Sequence, residues 1–258
     1  MPREHGSWAV LAAPILVGLA AAGGGPAGAV AAFCAAALGA FLLRTPLQSL
    51  LSPHPSPGSA RWLAAYAALA AAGGLPLFFV YARWGLLGFA VPAAALMAMN
   101  IQANRSRQTF SFANEGLGIL GLCLGAPAAF YAARGSLAGG AWPAWGLSAL
   151  YFLGPIFDVK AAALRHRVSS DGSARGAWER MKKNSWAYSA VALIVVCAAA
   201  AAGWASAAAA LPFLAALHKT WRRGRLSPGR VDFKRLGFEE VGYAVFFVLA
   251  VGGGFLLN

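Results

Sequence analysis

Glu115 stands at the head of an otherwise apolar run, NEGLGILGLCLGAPAAFY, and a carboxylate in such surroundings is the strongest chemical signal in the chain. At membrane depth an ionised side chain is costly unless it faces protein or water and finds a partner, so it marks a functional site by default. Amides and guanidinium groups crowd the approach to it: Asn100, Gln102, Asn104, Arg105, Arg107, Gln108 and Asn114. Gly116, Gly118, Gly121 and Gly125 follow, keeping the helix beyond it slim enough for a partner to come close. The pattern points to one wall of a polar pocket, with Asn100, Asn104, Arg107 and Asn114 as ligand contacts and Glu115 as an acid, base or orienting group. The same residues also suit a plain interhelical hydrogen bond that glues a bundle.

A second carboxylate, Asp158, lies in FDVKAAALRHR, which reads as a helix running out of the membrane. Pairing is what makes a carboxylate tolerable there, and Arg44, Lys160 and Arg165 are the expected partners. Arg44 and Gln48 close a third segment, RTPLQ, ahead of the Pro-rich loop SPHPSPG, and Arg44 suits either an anion site or an interfacial anchor. The segment from Lys219 to Arg235 is strongly basic and reads as a surface loop attracted to an anionic leaflet. Cys34, Cys123 and Cys197 fall inside apolar runs as packing residues. His5, His54, His166 and His218 lack a metal-binding spacing.

The elements that must carry these groups follow from composition. Of 258 residues, 59% are hydrophobic and 11% charged, with a mean hydropathy of +0.61. Such a chain is all-α, a polytopic transmembrane helical bundle forming a single integral-membrane domain over 1–258. About nine spans are expected: 8–24, 25–43, 61–82, 85–101, 111–133, 141–159, 186–204, 206–218 and 239–257. No separate leader is expected, because Met1-Pro2-Arg3-Glu4-His5 runs directly into the first span. With the N-terminus inside, 19 of the 21 Lys and Arg residues fall in inner segments and only Arg83 and Arg134 outside. The positive-inside rule then places the N-terminus on the cytoplasmic side of an inner (cytoplasmic) membrane. The net charge of +13 is thus a topology signal and suits anionic inner-leaflet lipids, and no nucleic-acid recognition module accompanies it.

Four stretches carry a resemblance to a known family. PREHGSWAVLAAPILVGL, Arg44-Thr45-Pro46, NRSRQTFSFANEGLGILGLCLGAPAAFYAA and Gly237-Phe238-Glu239-Glu240 together resemble the YwiC-like family of bacterial membrane proteins. A more distant resemblance is to UbiA-type intramembrane prenyltransferases, with their nine helices and cytoplasm-facing cavity. That resemblance implies a UbiA-like fold, an isoprenoid or other membrane-lipid ligand, and prenyl-transfer chemistry. Those enzymes hold Mg²⁺ and a prenyl diphosphate on two Asp-rich motifs. This chain has Arg44, Thr45, Pro46 and Gln48 at the first position, and Asp158 with Lys160 and Arg165 at the second. Arg and Lys supply no oxygen ligands to a hard cation.

Three functions therefore compete. In the first, a divergent lipid-binding member of that superfamily holds an anionic head group on Arg44, Gln48, Arg107, Lys160 and Arg165, with Glu115 and Asp158 as catalytic acid/base or orienting groups. The second is a small-solute transporter with Glu115 as a proton-linked carboxylate. The third is a non-catalytic accessory membrane protein. The charge distribution itself is testable: a phosphatase or fluorescent reporter fused after Asn258 is expected to report an extracytoplasmic C-terminus, and activity confined to the cytoplasm would reverse the topology.

Overall fold

Alanine, leucine and glycine dominate the apolar runs, and lipid offers backbone groups no partner, so the chain satisfies them internally as helices. The computed structural model describes residues 5–105, 111–172 and 174–257, and among these residues there is no strand. Nine helical rods run back and forth among the described residues: α1 (His5–Ala22), α2 (Ala27–Leu50), α3 (Ser59–Phe79), α4 (Leu87–Arg105) with a 3-10 turn before it, α5 (Phe112–Cys123) continued by α6 (Gly125–Arg134), α7 (Ala141–Asp171), α8 (Arg175–Ala201), α9 (Ala210–Gly224), and α10 (Phe233–Phe247) continued through a π-helical turn by α11 (Gly253–Leu256). Seven rods are long and apolar enough to cross a membrane, and Ser7–Ala22 is a shorter apolar helix. The chain is a multi-pass membrane protein. Exposed tryptophans mark both rims of the apolar band, with Trp62, Trp186 and Trp221 towards one end and Trp84, Trp142 and Trp204 at the other.

The rods alternate in direction, which gathers the basic connections at one end, here called the basic end. The far end holds the chain's C-terminal turn, and among the described residues its only cations are Arg83 and Arg134. Both are used locally. Arg134 donates to the carbonyl of Ala22 at the end of α1, while Arg83 donates to the carbonyls of Ala132 (3.0 Å) and Ala133 (3.4 Å) in the last turn of α6. Helix C-termini leave carbonyls without intrahelical donors, and these two arginines supply them.

Two breaks shape the interior. Pro127 has no N–H to give the carbonyl of Cys123, so the fifth rod bends where α5 ends at Cys123 and α6 begins at Gly125. Beside it, a core of large side chains is built on Tyr151 and Phe247, stacked with centroids 4.3 Å apart, with Phe152 and Phe213 set edge-on. Elsewhere small residues do the packing. Gly18 lies directly on the backbone of Ala126, and Gly39 and Gly73 bring α2 and α3 together backbone to backbone. Gly121 and Gly125 likewise admit Leu96 and Ile15, as their position in the sequence suggested.

Several spans extend beyond the sequence estimate. The second helix continues to Leu50 through Pro46, which is buried. The loop after it is not loose: Ser49 Oγ accepts from the backbone N–H of Ser56 (2.9 Å) and from Ser59 Oγ (2.8 Å), which folds the prolines back onto the helix end. The sixth and seventh rods, α7 and α8, project past the apolar band to Asp171 and from Arg175. The eighth extends to Gly224, so Lys219, Arg222 and Arg223 are helical and not part of a surface loop.

A Cβ at Gly73 would fall on the backbone of Ala32 and Ala36, which cannot yield as a flexible side chain does, whereas Gly74 faces open space. Gly73→Val is therefore expected to cost about 1–3 kcal/mol by overpacking. In detergent it should melt measurably below wild type, with Gly74→Val close to wild type.

Candidate functional site

Asp158 sits one turn beyond Pro155 on α7, facing α8, α9 and α10. Its Oδ1 accepts from Ser185 Oγ at 2.5 Å and from Thr220 Oγ1 at 3.3 Å. Its Oδ2 faces Lys219 Nζ at 3.0 Å and Arg223 Nη1 at 3.4 Å. Lys219 also reaches both carboxylate oxygens of Glu240, at 2.8 and 3.0 Å, and lies over the Tyr243 ring, 4.9 Å from its centroid. Arg223 bonds Glu240 Oε1 at 2.7 Å and Glu239 Oε2 at 2.9 Å. The side chains of Lys219 and Asp158 are only 3% and 5% exposed. Two carboxylates, the buried Asp158 and the partly buried Glu240, thus face two cations, and every member has more than one partner. A buried pair is tolerable only on those terms.

The depth of this cluster follows from the helices. From Asp158 back to Ala141, from Ser185 on to Ala201 and from Glu240 on to Leu256 the helical rise gives about 24–26 Å in each case. A hydrocarbon core is about 30 Å thick, so the charges lie just inside its basic boundary. The local sequence explains the arrangement. Lys219 and Arg223 are four residues apart and share one face of α9, while Phe213 and Pro212 are buried a turn or two earlier. Asp232 caps α10 by accepting the N–H groups of Lys234 (2.9 Å) and Arg235 (3.1 Å), which starts the helix one turn before Leu236 and sets Glu239 and Glu240 against α9.

The expected partners of Asp158 are corrected by this geometry. Lys160 is two residues along α7, and residues at that spacing do not share a helix face. It pairs instead with Glu115 Oε2 at 2.9 Å and lies over the Phe112 ring at 4.6 Å. Arg165 donates to the carbonyl of Ser227 at 2.8 Å, and Arg44 stands on α2. Lys219 and Arg223 were not among the residues singled out as site candidates. The signal for them was their spacing on a short, Pro-bearing helix next to a span that begins with two glutamates.

Glu115 also sits differently from expectation. It lies in the first turn of α5, four residues past the N-cap Ser111, whose Oγ accepts from the Asn114 backbone N–H at 3.2 Å. A carboxylate there is favoured by the helix macrodipole. With 28% exposure of its side chain it belongs to the rim, where it ties α5 to α7 through Lys160. The structure therefore separates the two proposed catalytic carboxylates: Glu115 with Lys160 on one side of α7, Asp158 with Lys219 on the other. Asn100 and Asn104 lie on α4, and their side chains, like Arg107 altogether, fall outside the described residues. Near Asp158 the cavity is small, about 20 Å³, with room for far less than a lipid. Among the described residues no three His, Cys, Asp or Glu side chains are grouped as a metal would need.

The YwiC-like protein family matches residues 1–130, which include Arg44, Gln48 and Glu115. The chain belongs to this family. It is also similar, along nearly its whole length, to the uncharacterized protein YwiC of Bacillus subtilis (strain 168), with 28% identity over 254 residues, covering 96% of this chain and 95% of the relative. No solved structure matches it. The matched family region contains Glu115 but not Asp158 or its partners, which the second half of this YwiC-like chain contributes.

Removing one member of a buried ion pair strands its partner in low dielectric and typically costs about 3–5 kcal/mol. Lys219→Met is expected to lose stability on that scale by thermal melting in detergent. Adding Glu240→Met to it should recover part of the loss, because Asp158 and Glu240 no longer share the single cation Arg223.

Proposed function

We propose that this YwiC-like protein lies in the inner membrane with its N-terminus in the cytoplasm and binds the head group of an anionic amphipathic lipid, an isoprenoid phosphate among the candidates, beside the basic end of α2. One observation carries the proposal. Gln48 Nε2 is buried and has no hydrogen-bond partner, while Arg44, one turn earlier on the same helix, makes no ion pair among the described residues. Residues four apart share a helix face. A buried donor without an acceptor costs about 1–3 kcal/mol, and a phosphate or carboxylate oxygen held by Arg44 would satisfy it.

The surroundings support a lipid as the source of that oxygen. Leu51 just beyond Gln48, Trp62 on α3 and Met99 on α4 are exposed apolar groups near the same end, and they offer an acyl or prenyl tail a surface beside the membrane. Several cations of this end are already used: Lys160 by Glu115, Lys219 and Arg223 by Asp158 and Glu240, Arg165 by Ser227. Arg44 differs from the exposed arginines Arg61, Arg167, Arg175 and Arg180 in being half-buried, one turn from the unsatisfied Gln48 amide. The anionic inner leaflet is the natural supply of ligand, and the exposed Arg167, Arg175, Arg180 and Lys183 would concentrate it near this surface.

Gln48→Leu tests the reading because it separates binding from packing. Replacing an unsatisfied buried amide by an apolar group is expected to leave thermal stability unchanged or raised, while Arg44→Gln and Gln48→Leu each reduce the lipid retained in native mass spectrometry of the gently purified protein. Undiminished anionic lipid in both variants would refute the site.

A further inference from the structure

A cavity of about 20 Å³ lies between α7, α8 and α9, lined in part by Tyr151, Pro155, Asp158, Tyr188, Ser189 and Thr220. It is distinct from the α2 surface and large enough for one water molecule. Its polar lining has a common chemistry. Thr220 Oγ1 gives its proton to Asp158, so in the 3.3 Å contact between Ser189 and Thr220 the serine is the donor, and lone pairs of Ser189 Oγ remain open. Tyr188 gives its proton to the carbonyl of Leu150 at 2.7 Å, which leaves its own oxygen as an acceptor. Pro155 has no N–H for the carbonyl of Tyr151, the helical donor that this carbonyl would otherwise have. The lining therefore offers acceptors, while its donors are already bonded: Lys219 to Asp158 and Glu240, and the Tyr151 hydroxyl to the carbonyl of Tyr243.

We propose that this cavity is a binding site for a single structural water, which donates to the Ser189 hydroxyl and to the Tyr151 carbonyl and so replaces the helix bond that Pro155 deletes. A cation would also suit an acceptor-lined space, but the Lys219 ammonium lines the same cavity and the adjacent carboxylates are already matched by Lys219 and Arg223. A neutral molecule with two donors fits both the lining and the charge. Bound there, it extends the hydrogen-bond chain from Asp158 through Thr220 and Ser189 to the turn of α7 that ends at Pro155, and couples the position of α9 to that turn.

Radiolytic hydroxyl labelling of the full chain in detergent reads such a water, because a bound water generates its radical in place. Wild type is expected to label Tyr151, which burial shields from bulk radicals, and Ala192→Val, which adds methyl groups to the cavity wall, is expected to lose that label. An unlabelled Tyr151 in wild type, or equal labelling in a folded Ala192→Val, would overturn the proposal. A second measurement needs no variant: a polar, hydrated cavity excludes xenon, so xenon density in this cavity in pressurised crystals of the wild-type protein would show a dry site and overturn it equally.

Discussion

The inner half of the bundle depends on one electrostatic constraint, that Lys219 and Arg223 enter the apolar band only with Asp158 and Glu240. Desolvating any one of these charges alone costs several kcal/mol, and their mutual attraction offsets this cost only in a geometry where each lone pair and proton is used. That requirement fixes the rotation of α9, the depth of α10 and the face that α7 presents. α9 needs the help more than any other rod: at fifteen residues it is short for a span and carries a cationic last turn. Its apolar groups anchor the far half, and the ion pairs anchor the basic half.

Packing by small residues governs the other side of the molecule. There is no hydrophobic driving force between helices in lipid, so close backbone approach takes its place. α2 and α3 meet through Gly39 and Gly73, α1 meets α6 through Gly18, and the far-end carbonyls that this crowding leaves at helix termini are taken by Arg83 and Arg134. The two regimes divide the labour along the membrane normal, with charge pairing near one boundary and arginine capping near the other.

How much of this could be read in advance depends on the range of the interaction. Hydropathy is summed over a whole span, so the nine rods and their alternation were legible, and the basic bias followed from the same count. Span ends were less so, because Pro46 and the polar stretch after Lys219 look like stops, whereas buried contacts and ion pairs carry the helices through them. The carboxylates at 115 and 158 were recognisable as charges needing partners, but which cation meets which carboxylate depends on helix rotation. Lys160 looks like the neighbour of Asp158 in the chain and faces the opposite way in space. Lys219 is 61 positions away and lies 3.0 Å from it. Beside Asp158 the Ser185 and Thr220 hydroxyls already occupy the bonding capacity of one carboxylate oxygen, and the cavity there holds about 20 Å³.

That sorting of cations is what turns attention from the buried cluster to α2. A fully satisfied network has no capacity left for a ligand, since any new bond must break an existing one in low dielectric, where it is strongest. Its value lies in holding α7 to α10 in register. A binding site requires the opposite condition, groups whose bonds are not yet made. Near the basic boundary the clearest such groups are the Gln48 amide, buried with its donor unused, and the Arg44 guanidinium one turn away. The chain contains both conditions at the same depth, and the rigid one supports the open one: with α9 and α10 locked against α7, α1 and α6 are held in turn, and the α2–α3 hairpin is fixed against them at its far end through Phe33, Leu77 and Ala129. Its basic end is then positioned by the bundle while Gln48 and Arg44 remain unused.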